Sequence, residues 1–351
     1  MEPKLVNSIA LLKNLLGYLG DSEGQPPRLY MDLEGNNLSR NGTLSLVTVL
    51  LEPEEEVHLI DVTTLGRDAF STTDATGRTL RSVLESSTII KVFFDIRNDS
   101  DALFGLYGIQ VAEIEDLQLM ELASRSFAKR NVNGLARCIE RDSTLHALEK
   151  QRWQAIKDKG KTLFDPHRGG SYAVFDERPL SEDIKRYCTQ DVTFMPHLRD
   201  IYRSRLCNAW WSKIEAETKA RIRLSQSPSF RGKGQHMAMG PPGWLSYNPS
   251  ASERLLRSFT KEAPSRERIL KVSPALLGHI SAPGESVEVD ELADMVRKVA
   301  LRRSSWDLDD EFRNFDVTPE GHGGFHSGNS DESRDYTACD KECGYCGHCD
   351  Y

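Results

Sequence analysis

No apolar run in this sequence approaches the roughly 18 to 20 residues that cross a bilayer, so a membrane-spanning helix is not expected. Met1 to Lys13 lacks the basic start, unbroken apolar block and cleavage site of a secretory signal, because Asn7, Ser8 and Lys13 interrupt it. The expected setting is intracellular, cytoplasm or nucleus. Cysteine is sparse over the first 338 residues, where Cys138, Cys188 and Cys207 stand far apart in segments of helical pattern and suit small buried hydrophobes. Positive charge is also in deficit, with a net charge of −8. Spread evenly, that charge would count against a nucleic-acid partner, whose phosphates are met by Lys and Arg. It is not spread evenly. Acids crowd Glu52 to Glu56 and bases crowd Lys213 to Lys233. A site for divalent cations gathers carboxylates as well, so an acidic total is compatible with a nuclease. No internal repeat is present.

What is there begins with a helical stripe over Val6 to Leu19, ended by the turn residues Gly20 to Pro27. Arg28 to Glu34, Leu44 to Leu51 and Val57 to Val62 are β-rich and separated by Asn41-Gly42 and by Pro53 with its acidic run, which predicts a three-stranded meander. A helix at Thr79 to Ser86, a strongly apolar strand at Ile89 to Phe94 and a helix from about Asp99 to Tyr107 follow, with a short strand expected at Ile109 to Val111. Helical patterns recur over Leu117 to Phe127, Gly134 to Ile139, Leu145 to Lys159 and Ser181 to Leu206. A meander followed by alternating helices and strands predicts an α/β fold, a mixed sheet with helices on its faces. After Ser225 the texture changes. Residues 226–306 read as a Pro- and Gly-containing linker and a weakly helical extension, 307–338 as polar and disordered, and 339–351 as a cysteine-rich tail, leaving 1–225 as the main domain.

Three short segments carry the chemistry. Strand alternation in Arg28 to Glu34 puts Leu29, Met31 and Leu33 on one face and Tyr30, Asp32 and Glu34 on the other. Two like charges side by side are costly unless solvent or a cation neutralises them, and a divalent metal with oxygen ligands does so. The second segment, Asp95-Ile96-Arg97-Asn98-Asp99-Ser100-Asp101, passes from a buried strand into a helix, where Asn98 suits a cap and Asp99 the first turn. The third is Tyr187 and Asp191, four apart on one face of the helix Ile184 to Leu198. Each segment alone has a plainer explanation, as a solvated strand end, a helix cap or a packing residue. Their conjunction is what points to function.

In these residues the chain resembles the DEDD superfamily of 3′–5′ exonucleases, in its tyrosine-bearing branch. Asp32-Leu33-Glu34 is similar to the first motif, Asp99 with Leu103 to the second, and Tyr187 with Asp191 to the third. Within that branch, Leu29 to Gly35, Arg97 to Leu103 and Gly169-Gly170-Ser171-Tyr172 resemble the ribonuclease D and Egalitarian-like proteins, specifically a fungal-type group, over about residues 6 to 230. The resemblance implies a ribonuclease H-like fold and hydrolysis of phosphodiester bonds from the 3′ end of single-stranded nucleic acid, RNA favoured over DNA. It implies two cations, Mg²⁺ or Mn²⁺, about 4 Å apart. Asp32, Glu34 and Asp191 would hold the one that activates water, Asp32 and Asp99 the one facing the leaving 3′ oxygen, and Tyr187 would orient or deprotonate the water. With an ordinary phenol pKa near 10, orientation is the role that suits neutral pH. The second motif departs from the family pattern at Phe94-Asp95, so Asp95 competes with Asp99 for that position. The alternative reading is a catalytically silent RNA-binding scaffold on the same fold.

Between Trp210 and His236, basic residues including Arg221, Arg223, Arg231 and Lys233 alternate with Trp210, Trp211 and Phe230, a pattern that suits a single-stranded backbone and its bases as well as a solvated helix end. Arg168, in the loop Phe164 to Phe175, is a further candidate for phosphate. At the end of the sequence, Cys339, Cys343, Cys346 and Cys349 form a dense thiolate cluster for which tetrahedral zinc is the first choice, an iron–sulfur cluster or a redox-labile tail being the alternatives.

Overall fold

Six strands order themselves β1-β4-β3-β2-β5-β6 in the computed structural model, which describes residues 2–19, 27–52 and 54–249. The strands are β1 (Lys4–Val6), β2 (Arg28–Glu34), β3 (Leu46–Glu52), β4 (Glu56–Asp61), β5 (Lys91–Phe93) and β6 (Ile114–Asp116). The expected meander is β2-β3-β4, antiparallel throughout, with Asp32 opposite Thr48 and Glu34 opposite Leu46. β5 runs parallel to β2, β6 parallel to β5, and β1 parallel to β4. This is the mixed sheet of a ribonuclease H-like fold. The weakly helical segment up to 306, the polar stretch 307–338 and the cysteine tail, with its proposed zinc, lie outside the described residues.

The helices are α1 (Ile9–Tyr18), α2 (Val62–Leu65), α3 (Asp68–Ser71), α4 (Leu80–Glu85), α5 (Arg97–Tyr107), α6 (Leu117–Ser124), α7 (Leu135–Asp142), α8 (Ala147–Phe164), α9 (Glu182–Thr193), α10 (Met195–Arg205) and α11 (Asn208–Ser225). Among the described residues no helix is long and apolar enough to cross a membrane. Leu29, Met31 and Leu33 of β2 join a core with Leu12, Leu16, Leu84 and Leu103 from α1, α4 and α5, while Tyr30 points the other way, into a core with Leu119, Met120, Leu198 and Tyr202 from α6 and α10. The alternation is as the sequence predicts, and both faces are covered.

β1, α2, α3 and α11 arise without a counterpart in the sequence expectation, β1 taking Val6 from the first helical stripe, and two expected elements differ. Ile109 to Val111 is not a strand: Gly108 adopts φ 64°, Ile109 N donates to Leu103 O to close α5, and Ile109 drops into the core. The strand comes five residues later, at Ile114–Asp116, where Lys91 N donates to Glu113 O and the pairing with β5 begins. The expected helix Ser181 to Leu206 is two helices, broken at Phe194. Pro196 sits in the first turn of α10, where its missing N–H costs nothing, whereas inside a continuous helix it would remove a bond.

β5 ends at a buried ion cluster. Asp95, at φ 67°, turns the chain sharply from strand to helix. Its carboxylate accepts from Arg97 Nε at 2.6 Å and from Arg97 Nη2, and lies 3.4 Å from Arg221 Nη1. Arg221 also donates to Asp116 at 2.8 Å and to Gln118 at 3.0 Å. Arg221 was expected to meet nucleic acid; it is buried instead, bound to acids of β6 and of the β5–α5 turn. Removing one member leaves charges buried without a partner, so Arg221→Met is expected to destabilise the fold by about 3–5 kcal/mol. The exposed Arg223→Met is expected to change it by less than about 0.5 kcal/mol. Urea unfolding of the two variants compares them, and equal midpoints would contradict the assignment.

Residues 226–249 are irregular and pack back onto this body. Met237 and Trp244 are buried, Trp244 lies edge-on to Trp210 with centroids 5.1 Å apart, and Arg97 Nη2 donates to Met237 O at 2.8 Å.

Candidate active site

The Asp32 and Glu34 face of β2 is crossed by α9. Ser181 caps α9 by accepting from Ile184 N, and Glu182 and Asp183 in its first turn complement the helix dipole. Ile184, Tyr187 and Cys188 pack on Leu46 and Leu59 of β3 and β4, which fixes the helix's rotation and turns Tyr187 and Asp191 toward β2. Ligand atoms of Asp32, Glu34 and Asp191 all lie within 4.8 Å of one another. Asp32 and Glu34 are half-buried, so the cluster keeps an opening to solvent.

Asp99 comes from the first turn of α5 and is buried. The helix starts at Arg97, with Ile96 rather than Asn98 at the cap position. Burial first, then Asp32 and Asp95, hold the Asp99 carboxyl well above its usual range. Asp95 is held low: Arg97 and then Arg221 outweigh the effect of its burial. Of the two acids left open by the sequence, Asp95 is therefore committed to a structural ion cluster, while Asp99, which lies outside the group of Asp32, Glu34 and Asp191, feels the charge of Asp32 and acts on Glu34.

The same physics runs through the rest of the cluster. Burial, then repulsion from Asp191, pushes Asp32 up to about 7, with Lys157 partly offsetting both. Burial and then Asp32 and Asp191 raise Glu34 well above its usual range. Hard carboxylate oxygens, crowded and lacking enough positive charge, are the donor set that Mg²⁺ or Mn²⁺ takes. The residues present thus fit divalent cations.

Sequence reasoning missed Lys157 and Gly160. Lys157 Nζ lies 2.8 Å from each carboxylate oxygen of Asp191 and 3.2 Å from Tyr187 Oη. Gly160, one turn on, gives the Tyr187 ring its place, since a Cβ there would come within 2.3 Å of Cδ2. Phe164 closes the pocket edge-on to Tyr187 at 5.0 Å. A signal was available in the spacing Trp153, Lys157, Gly160, Phe164, which is an inward helix stripe interrupted by a lysine and a glycine.

The other expected nucleic-acid contacts scatter. Arg168 is exposed and paired with Asp158 at 3.2 Å and Asp165 at 3.7 Å, and Arg223 is exposed on α11. Arg231 and Lys233 are exposed and flank Gly232, which abuts Asn98, the neighbour of Asp99; a Cβ on Gly232 would lie 2.3 Å from Asn98 Oδ1. These two bases therefore stand beside the first turn of α5.

Comparison with known proteins agrees with the fold. Trypanosoma brucei RNase D in complex with RNA U12 superimposes with a TM-score of 0.55 at 20% identity, covering 69% of this chain and 77% of that one. The same organism's RNase D with GMP gives 0.54 at 22% identity, covering 69% and 70%. Among curated proteins no sequence matches. A family model described as 3′–5′ exonuclease matches residues 4–206. That span takes in every strand of the sheet and all four acids, and it exceeds half of the 351 residues, so the chain belongs to the 3′–5′ exonuclease family of hydrolases, within the DEDD superfamily.

Proposed function

We propose that this chain is an active exonuclease of the tyrosine-bearing branch, in its fungal-type ribonuclease D and Egalitarian-like group, which shortens single-stranded RNA from the 3′ end with two divalent cations. The observation that carries the reading is the convergence of Asp32, Glu34 and Asp191 on one half-open cleft, with Tyr187 tied to Asp191 through Lys157 and with Asp99 near enough to repel Asp32. Asp32, Glu34 and Asp191 would hold one cation and Asp32 and Asp99 the other. Bound there, divalent cations make water acidic and neutralise charge on the phosphate and on the leaving 3′ oxygen. The carboxylates stay ionised in that role because the cations offset the repulsion among them. Tyr187 contributes a hydrogen bond, a phenol with its ordinary pKa near 10 being protonated at neutral pH. Arg231 and Lys233 meet backbone phosphates of the substrate beside the first turn of α5, with Arg168 and Arg223 as outer contacts. The choice of RNA follows the resemblance and is supported by the RNA-bound RNase D neighbour.

The test is a panel of 5′-labelled single-stranded RNA and DNA, with free or blocked 3′ ends, incubated with Mn²⁺ or Mg²⁺. Stepwise shortening of RNA that stops at a blocked 3′ end and in EDTA is the expected result. Binding without shortening in any cation would make the chain an RNA-binding scaffold and sink the proposal. In the same assay, charge reversal of Arg231 and Lys233 is expected to raise KM about tenfold and flatten the salt dependence, leaving kcat within about twofold.

A further inference from the structure

Lys157 belongs to the cluster by position but has no part in the cation-binding scheme above. It reaches the site from α8, in a stripe that is otherwise apolar or glycine. An ammonium group carries three hydrogens and no lone pair. Its neighbours are both oxygens of Asp191 at 2.8 Å, which a single hydrogen can bridge, and Tyr187 Oη at 3.2 Å, to which another hydrogen is given. In the last of these contacts the phenol oxygen is therefore the acceptor. Its own hydrogen must point away from Lys157, and it donates to none of the described residues.

We propose that Lys157 is a positioning residue that fixes the hydrogen-bond polarity of Tyr187, turning the phenol O–H out of the α8–α9 interface so that it donates to a non-bridging oxygen of the substrate phosphate. The proposal rests on the exonuclease reading and deepens it. A phosphate oxygen at neutral pH is an acceptor only, so it matches a phenol whose acceptor side is already taken. Attack by water needs no proton transfer to Tyr187 in this arrangement.

A double-mutant cycle tests the coupling. Lys157→Met and Tyr187→Phe are each expected to lower kcat roughly 10²-fold, and the double variant no further than the worse single one. Lys157→Arg, which keeps the donors, is expected to recover at least part of the rate. A phosphorothioate at the scissile linkage weakens the acceptor, so its extra cost in the wild type should shrink in both single variants. A further measurement needs neither cation nor substrate. With 3-fluorotyrosine at 187, the ¹⁹F resonance in EDTA should move in Lys157→Met and return toward the wild-type position in Lys157→Arg. Fully additive losses, or a ¹⁹F signal indifferent to Lys157→Met, would overturn the proposal. An inactive wild type with the expected ¹⁹F shifts would instead defeat the exonuclease reading and leave the Lys157–Tyr187 contact standing.

Discussion

Asp32→Asn is expected to slow 3′-end shortening by about 10³-fold or more while making the folded protein more resistant to heat in EDTA at pH 8. The first effect follows from its position. Asp32 is the acid shared by both proposed cation sites, so its loss weakens both. The second follows from the direction of its pKa. Burial and then Asp191 push the carboxyl from 3.8 up to about 7. A carboxyl with a folded-state value above its unfolded one stabilises the fold below about pH 4 and loses that contribution as pH rises through about 7. Asparagine never acquires the charge. In EDTA the variant and the wild type should therefore melt together near pH 4 and separate as pH rises, by about 5 °C at pH 8. Mn²⁺ should raise the wild-type melting temperature and close the gap. Identical melting curves at pH 8 would show that the cluster carries no such electrostatic cost.

Gly160→Ala should remove most of the activity without loosening α8. In the interior of a helix, alanine is better than glycine by about 1 kcal/mol, so local helix energetics favour the change. The obstacle is the partner. A Cβ at 160 would stand 2.3 Å from Cδ2, 2.7 Å from Cγ and 2.9 Å from Cβ of Tyr187, and these atoms are the root of the ring rather than its movable end. Tyr187 must shift, and with it the contact to Lys157. A displacement of about 1 Å at such a group costs on the order of 10²-fold in kcat, with KM changed by less than about threefold. Circular dichroism should show undiminished helix. Wild-type kcat in Gly160→Ala would mean that the ring position is not critical.

Both outcomes concern residues that differ in how plainly the sequence displays them. Asp32 and Glu34 can be read directly, because a period of two puts them on one face of β2 whatever lies around them. Tyr187 and Asp191 follow from the spacing of one helical turn. Asp99 is not separable from Asp95 by spacing alone: Asp95 is claimed by Arg97, two residues on, and also by Arg221, which is 126 residues away in the chain and sits among bases that look like a nucleic-acid patch. Lys157 is hidden for a related reason. It is one of several lysines on α8, and only the packing of α8 on α9 makes it the buried one. In the fold, the meander and most helices were legible from periodicity. The place of β6 was not, since its three residues become a strand through pairing with β5 rather than through their own propensity.

The buried cluster at the end of β5 also bears on where this protein can be divided. The family match closes at residue 206, a natural-looking place to cut because α10 ends there. A chain cut at that point would lose α11, and with it the guanidinium that sits between Asp95 and Asp116. It would also lose Met237, whose carbonyl accepts from Arg97, the other cation beside Asp95. The turn that aims Asp99 into the cleft depends on that carboxylate being neutralised. Autonomy of the nuclease body therefore extends past the family-matched span to the residues up to about 240, and a shorter fragment would carry all four acids yet lose the ion cluster beside one of them.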